Sequence, residues 1–91
     1  MKDIIRKLRA LSGKQRLQII RLLSTNKGLT VGDISMEINV PYKSTSKHLI
    51  RLADAGIVEN ERIPGNKIKY QLRLDPTGIV SAVIKAIGKR E

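Results

Sequence analysis

The stretch Val40-Pro41-Tyr42-Lys43-Ser44-Thr45-Ser46-Lys47-His48-Leu49-Ile50-Arg51-Leu52-Ala53-Asp54-Ala55-Gly56-Ile57-Val58 leaves few folds open. A helix start, one apolar stripe, a cationic polar face and a glycine stop follow one another in order. Pro41 suits the first helical turn, where its missing N–H leaves nothing unpaired, and Gly56 suits the left-handed position that ends a helix. The pattern predicts a helix over 41–55. Thr45, Leu49, Leu52 and Ala53 fall at i, i+4, i+7 and i+8 and can dock on a core. The other face carries Tyr42, Lys43, Ser46, Lys47 and Arg51, with Ser44 at its margin. It offers cations for phosphate or guanine and short hydroxyls that hydrogen-bond to either, the equipment of a helix that reads DNA. A merely solvated charged face is the competing reading.

The neighbouring segments frame this helix. Ile4, Ile5, Leu8 and Leu11 recur at helical spacing over 2–11, with Arg6, Lys7 and Arg9 elsewhere on the wheel. Ser12-Gly13-Lys14-Gln15 matches a capping box for a second helix through Leu17, Ile19, Ile20 and Leu23. Thr30 is the next cap, with Asp33 three residues on, for a short third helix that buries Val31, Ile34 and Ile38. Asn39 and Val40 then make a tight turn, so the third and fourth helices form a helix-turn-helix.

Beyond Gly56 the period changes to that of strands. A segment from Ile57 to Ile63 leads into the turn Pro64-Gly65-Asn66-Lys67, after which Ile68, Tyr70, Leu72 and Leu74 alternate with Lys69, Gln71 and Arg73. This predicts a hairpin over 57–74 with one wet, cationic face, the wing of a winged helix. Asp75 and Pro76 restart a final helix over 76–90, as cap and first residue. The expected fold class is mainly α with a small β-hairpin, in the order α-α-α-α-β-β-α, as one domain over 1–91.

Composition sets the class of partner. Lysine and arginine total 18 against 8 acidic residues, a formal charge of +10 on 91 residues. That excess points to an anionic partner, nucleic acid ahead of an anionic membrane. Two tyrosines are the only aromatics, which disfavours modules that stack single-stranded bases on aromatic platforms and interfacial membrane helices alike. Double-stranded DNA is the partner expected. No apolar run approaches the ~18 residues of a membrane span and no signal-peptide core is present, so a cytoplasmic, nucleoid-associated protein is expected.

With no cysteine and one histidine the chain has the ligands for neither a thiolate nor an imidazole metal site, and no cofactor is expected. No nucleophile-base pair or phosphate loop is present, so no enzyme is expected. Asp33, Glu37 and Asp54 read as cap and surface charges. His48 lies beside the apolar stripe, suited to half-buried packing or a phosphate contact, with pH sensing as the alternative. Ile50 projects to the polar side, where a thymine methyl or plain surface exposure accounts for it.

In this order and spacing the segments resemble the ArsR-type (arsenic-repressor-like) winged-helix transcriptional regulators. The matching residues are Ala10-Leu11 with Arg16-Leu17-Gln18-Ile19-Ile20-Arg21-Leu22-Leu23, Leu29-Thr30-Val31-Gly32-Asp33-Ile34, Ser44-Thr45-Ser46-Lys47-His48-Leu49, Leu52-Ala53-Asp54-Ala55-Gly56-Ile57-Val58, and Lys69-Tyr70-Gln71-Leu72. The resemblance implies a dimer built from the first and last helices, recognition helices in consecutive major grooves, and usually repression. The chain departs from the family's metal sensors. Thr30 and Gly32 stand where those carry Cys-x-Cys, and 79–91 contains no histidine and only Glu91 as an acid.

These readings converge on a sequence-specific, homodimeric regulator of transcription, acting as a repressor on an inverted-repeat operator; any small-molecule effector is unknown. The DNA-contacting residues are expected to be Tyr42, Lys43, Ser44, Ser46, Lys47 and Arg51 on the helix and Asn66, Lys67, Lys69 and Arg73 on the wing. Ile4, Ile5, Leu8, Ile79, Val80, Val83, Ile84 and Ile87 are expected at the dimer interface, because the last helix carries more aliphatic area than so small a core can absorb. A sequence-nonspecific architectural DNA-binding protein and a winged-helix protein-interaction module are the alternatives.

Overall fold

The computed structural model describes residues 1–88. Its elements run α1 (Lys2–Leu11), α2 (Lys14–Thr25), β1 (Leu29–Thr30), α3 (Val31–Ile38), α4 (Tyr42–Asp54), β2 (Val58–Ile63), β3 (Lys67–Leu72) and α5 (Ile79–Gly88). The strands form one antiparallel sheet in the order β1-β3-β2. This is a winged helix-turn-helix, with one strand more than the sequence pattern suggests. β1 is only two residues long, too short to leave an alternating signature, and pairs Leu29 with Tyr70 and Thr30 with Lys69.

The caps explain where the helices begin and end. Thr30 and Asp33 form a capping box on α3, Thr30 Oγ1 accepting from the Asp33 N–H at 3.1 Å and Asp33 Oδ2 from the Thr30 N–H at 3.3 Å. Asn39, left-handed at φ 56°, ends α3 and turns the chain toward α4. Pro41 stands at the N-cap of α4 rather than inside its first turn. At the far end Gly56 takes φ +77°, its N–H donating to Ala53 O while the Ile57 N–H donates to Leu52 O, both at 2.9 Å. That is a Schellman stop, which only a residue without Cβ adopts freely.

The capping box expected at Ser12 and Gln15 does not form. The bend between α1 and α2 is so tight that Ser12 belongs to the end of α1, its hydroxyl donating to Arg9 O at 3.0 Å, and Gly13 caps α2 in extended backbone. The hairpin also ends earlier than its alternation suggests. β3 stops at Leu72, and Leu74 is 91% exposed. The last helix starts at Ile79 instead of Pro76, because Asp75 gathers the intervening residues into a turn. Its carboxylate accepts from the Thr77 N–H at 3.0 Å, the Thr77 hydroxyl at 2.6 Å and the Val80 N–H at 3.0 Å. Asp75 is the cap anticipated for this helix, acting over a longer reach. The expected continuation past Gly88 lies outside the described residues.

The core gathers Leu11, Ile19, Ile20, Leu23, Ile34, Leu49, Leu52, Ile57, Val58, Tyr70 and Val80 from nearly every element. Thr45, fully buried on α4, satisfies its hydroxyl by donating to Val40 O at 3.3 Å and so ties the helix to the turn before it. Lys7, placed by its sequence on the outer wheel of α1, is instead buried, with its Nζ 2.8 Å from Asp3 and 3.7 Å from Asp75. Among the described residues no helix is long and apolar enough to cross a membrane.

Candidate nucleic-acid interface

The rotation of α4 is set by what it buries. Thr45, Leu49 and Leu52 have no exposed surface, so at about 100° per residue the outward centre of the helix falls at Lys43, Lys47, Ile50 and Arg51. All four are exposed. Tyr42 and Ser46 lie on one flank of that centre, Ser44 and His48 on the other. A helix of 13 residues is about 20 Å long, within the span of one major-groove segment.

The Tyr42 flank faces the wing. β2 and β3 are joined by Pro64, Gly65 and Asn66, with Ile63 opposite Lys67; Gly65 at φ +86° and Asn66 at φ 57° both take left-handed backbone to close this short loop. Tyr42, Asn66, Lys67 and Ile68 line one groove of about 390 Å³ with Thr30, Gly32 and Met36. The start of α4 and the wing tip therefore meet on a single face, 25 residues apart in sequence between Tyr42 and Lys67.

Lys69 and Arg73 are not brought to that groove. The stem of Lys69 lies across Gly28, where a Cβ would collide with Lys69 Cε, and its Nζ is 3.9 Å from Glu61. Glycine at 28, in backbone of φ +140°, leaves the space that the lysine stem occupies. Arg73 lies beyond the end of β3, at the base of the hairpin, where it lines a depression with Leu74, Asp75, Ser81, Ile84 and Lys85. Both belong to the flank and root of the wing.

The second flank of α4 holds a side-chain pair that sequence spacing does not reveal. Arg16, near the start of α2, donates from Nε to Ala10 O at 2.6 Å and from Nη1 to His48 Nδ1 at 3.4 Å. Arginine has no acceptor, so Nδ1 of His48 accepts and its ring proton sits on Nε2. Burial first, and then the charges of Arg16 and Arg51, hold the His48 pKa below its ordinary value, which favours the neutral ring. Thirty-two positions separate the two residues, and only the packing of α2 on α4 joins them.

α1 also packs on α5. Ile4, Ile5 and Leu8 are 38%, 41% and 51% exposed, and Ile79, Val83, Ile84 and Ile87 are half-buried. Val80 differs from the rest of that set: it is 4% exposed and fills the protein's own core, leaving almost no area for a second copy to cover. Arg6 of α1 donates to Asp54 O at 2.6 Å, so the helix bearing the exposed aliphatics is tied to the end of α4. Among the described residues no three His, Cys, Asp or Glu side chains are grouped to hold a metal ion.

Known proteins resemble this chain in sequence and fold. The family model for bacterial regulatory proteins of the arsR family matches residues 13–60, from the cap of α2 into β2. The HTH-type transcriptional regulator YgaV of Escherichia coli is 28% identical over 80 residues, covering 88% of this chain and 80% of that protein. Among solved structures, the transcriptional repressor BigR from Xylella fastidiosa superposes with a TM-score of 0.81 at 25% identity, over 99% of this chain and 88% of that one. The homodimeric winged helix-turn-helix DNA-binding domain of Mb0332 from Mycobacterium bovis has the same fold, with a TM-score of 0.82 at 24% identity over 97% of this chain and 80% of that one.

Proposed function

The chain belongs to the arsR family of bacterial regulatory proteins, DNA-binding regulators of transcription and not enzymes, and from that premise we propose that it acts as a homodimeric repressor on an inverted-repeat duplex site. The observation that carries this reading is the two-sided construction of α4. One stripe is sealed in the core, the opposite face presents Lys43, Lys47 and Arg51, and the Tyr42 flank borders a wing tip bearing Lys67.

In this reading Lys43, Ser46 and Lys47, on the early turns of α4, reach base edges with Tyr42. Ser44, Arg51, Asn66 and Lys67 meet the backbone, and Lys69 and Arg73 contribute charge from the side of the wing. The dimer forms where α1 and α5 present Ile4, Ile5, Leu8, Ile79, Val83, Ile84 and Ile87, and the homodimeric Mb0332 domain, which shares the fold, supports that assembly. A two-fold axis there sets two recognition helices one helical turn of DNA apart, about 34 Å, a spacing compatible with a protomer whose longest extent is 38 Å. Repression follows from occupying promoter DNA, as the description of BigR as a repressor supports. The whole chain acts as one DNA-binding unit, and its place is with the DNA of the cytoplasm.

The test is selection of bound duplexes from a random library, with sedimentation of the free protein alongside. An enriched inverted repeat and a dimer are expected. A second reading, sequence-nonspecific architectural binding, draws on the charge of +10 spread from Lys2 to Arg90. No enrichment, with equal affinity for all duplexes, is the result that would favour it.

A further inference from the structure

A helix lying in the major groove has a sugar-phosphate backbone on each side, and the wing reaches only one of them. On the flank of α4 turned away from the wing, Arg16, Ser44, Lys47, His48 and Arg51 line a pocket of about 230 Å³. Three of the five are permanent cations, and among the described residues no carboxylate lines the pocket. Arg16 is held from behind by Ala10 O, and its second contact fixes the His48 tautomer so that the remaining ring donor is Nε2–H.

We propose that this pocket seats one backbone phosphate of the duplex, with His48 donating from Nε2, Ser44 from its hydroxyl, and Arg51 supplying charge. Arg16 acts as the positioning residue that holds the imidazole with its donor available. The proposal rests on the DNA-binding reading above and adds a positioning residue, Arg16 of α2, from outside the helix-turn-helix and wing. A neutral, oriented donor beside cations suits an anion with several acceptor oxygens. Because the clamp includes Arg16 of α2, it also fixes α4 against the body of the domain when DNA is bound. The two backbones flanking the groove are then held by different devices, the wing tip on one side and the Arg16–His48 pocket on the other.

The experiment uses the full chain and the duplex enriched by selection, with single methylphosphonates that remove the charge of one phosphate at a time. We expect one position per half-site, on the backbone opposite the wing, where the neutral linkage weakens binding by about ten-fold or more, the scale of removing a hydrogen bond to a charged group. His48→Phe and Arg16→Gln should weaken the unmodified duplex similarly and lose nothing further at that position, while His48→Gln, which can accept from Arg16 and still donate, should stay within about two-fold of wild type. Fully additive losses, or a His48→Phe protein that is folded and binds as wild type, would overturn the proposal while leaving the DNA-binding reading intact. Absence of any enriched duplex would overturn both. If His48→Phe fails to fold, the methylphosphonate scan of the wild type and His48→Gln decides, and a scan with no sensitive position opposite the wing counts against the clamp. Inorganic phosphate is the remaining arm. Saturable millimolar binding that shifts the His48 ring resonances at constant ionic strength, without displacing DNA, would assign the pocket to a free anion instead.

Discussion

Replacing Asp75 by alanine should destabilise the fold far more than a loop substitution ordinarily does. The Asp75 side chain is only 5% exposed, caps α5 through the Val80 N–H, orders the turn through Thr77, and lies 3.7 Å from the ammonium of Lys7, itself 6% exposed. Loss of the cap costs about 1 kcal/mol. Removing one partner of a buried ion pair costs about 3–5 kcal/mol when the other charge is left alone, but Lys7 keeps Asp3 at 2.8 Å, so about 1–2 kcal/mol is the appropriate share. The sum, about 2–3 kcal/mol, corresponds to a fall in Tm of roughly 10–20 °C for a domain of this size. Thermal unfolding followed by circular dichroism, at one fixed protein concentration because the proposed dimerisation is linked to stability, reads this directly. In the background of Lys7→Met, where no ammonium is stranded, the same replacement should cost about 1–2 kcal/mol less. A Tm within about 3 °C of wild type, or additive losses in the double variant, would refute the view of Lys7 and Asp75 as one latch between α1 and α5.

Stability should also follow pH with a sign set by two groups. The His48 pKa lies below its ordinary value near 6.5, so its contribution is present above that pH and is lost as pH falls below it; His48→Gln should remove this part of the acid sensitivity in urea titrations. For Asp75 burial pushes the pKa up, but its bonds from Thr77 and Val80 and the charge of Lys7 outweigh it, so stability is lost again only below about pH 4. Ile5→Asp with Leu8→Asp should give a monomer by sedimentation and weaken binding to an inverted repeat, and a dimer of wild-type affinity would contradict the assigned interface. Gly28→Ala, at φ +140° and pressed by the Lys69 stem, should cost about 1–3 kcal/mol in denaturant unfolding, more than Gly65→Ala at the open wing tip.

The helix-turn-helix is legible in the amino-acid sequence because its signals are local. Thr30 with Asp33, the Asn39 turn, the stripe Thr45-Leu49-Leu52 and the Gly56 stop each act within a few residues. What the pattern does not carry is tertiary. Leu29 and Thr30 become a strand only because β3 is there to pair with them. Lys7 is buried because the turn carrying Asp75 covers it, and the wheel of α1 alone has no means of showing that. Lys69 and Arg73 alternate correctly with the apolar residues of their strand, yet alternation reports only the face of a sheet, not the Glu61 neighbour or the place of Arg73 past the strand end. Arg16 and His48 share no signal along the chain, being on helices that meet only when it folds.

Whether α4 reads sequence is tested most directly by a binding series for wild type, Lys43→Ala, Lys47→Ala and Lys67→Ala against the selected duplex and its scrambled counterpart at several salt concentrations. The helix variants should lose roughly 1–3 kcal/mol on the selected duplex and little on the scrambled one. Lys67→Ala should weaken both alike and flatten the log-log salt dependence by about one unit for each phosphate the wing no longer neutralises. If Lys43→Ala and Lys47→Ala lose affinity equally for both duplexes, α4 does not read sequence, and the assignment of this chain as a sequence-specific regulator is contradicted.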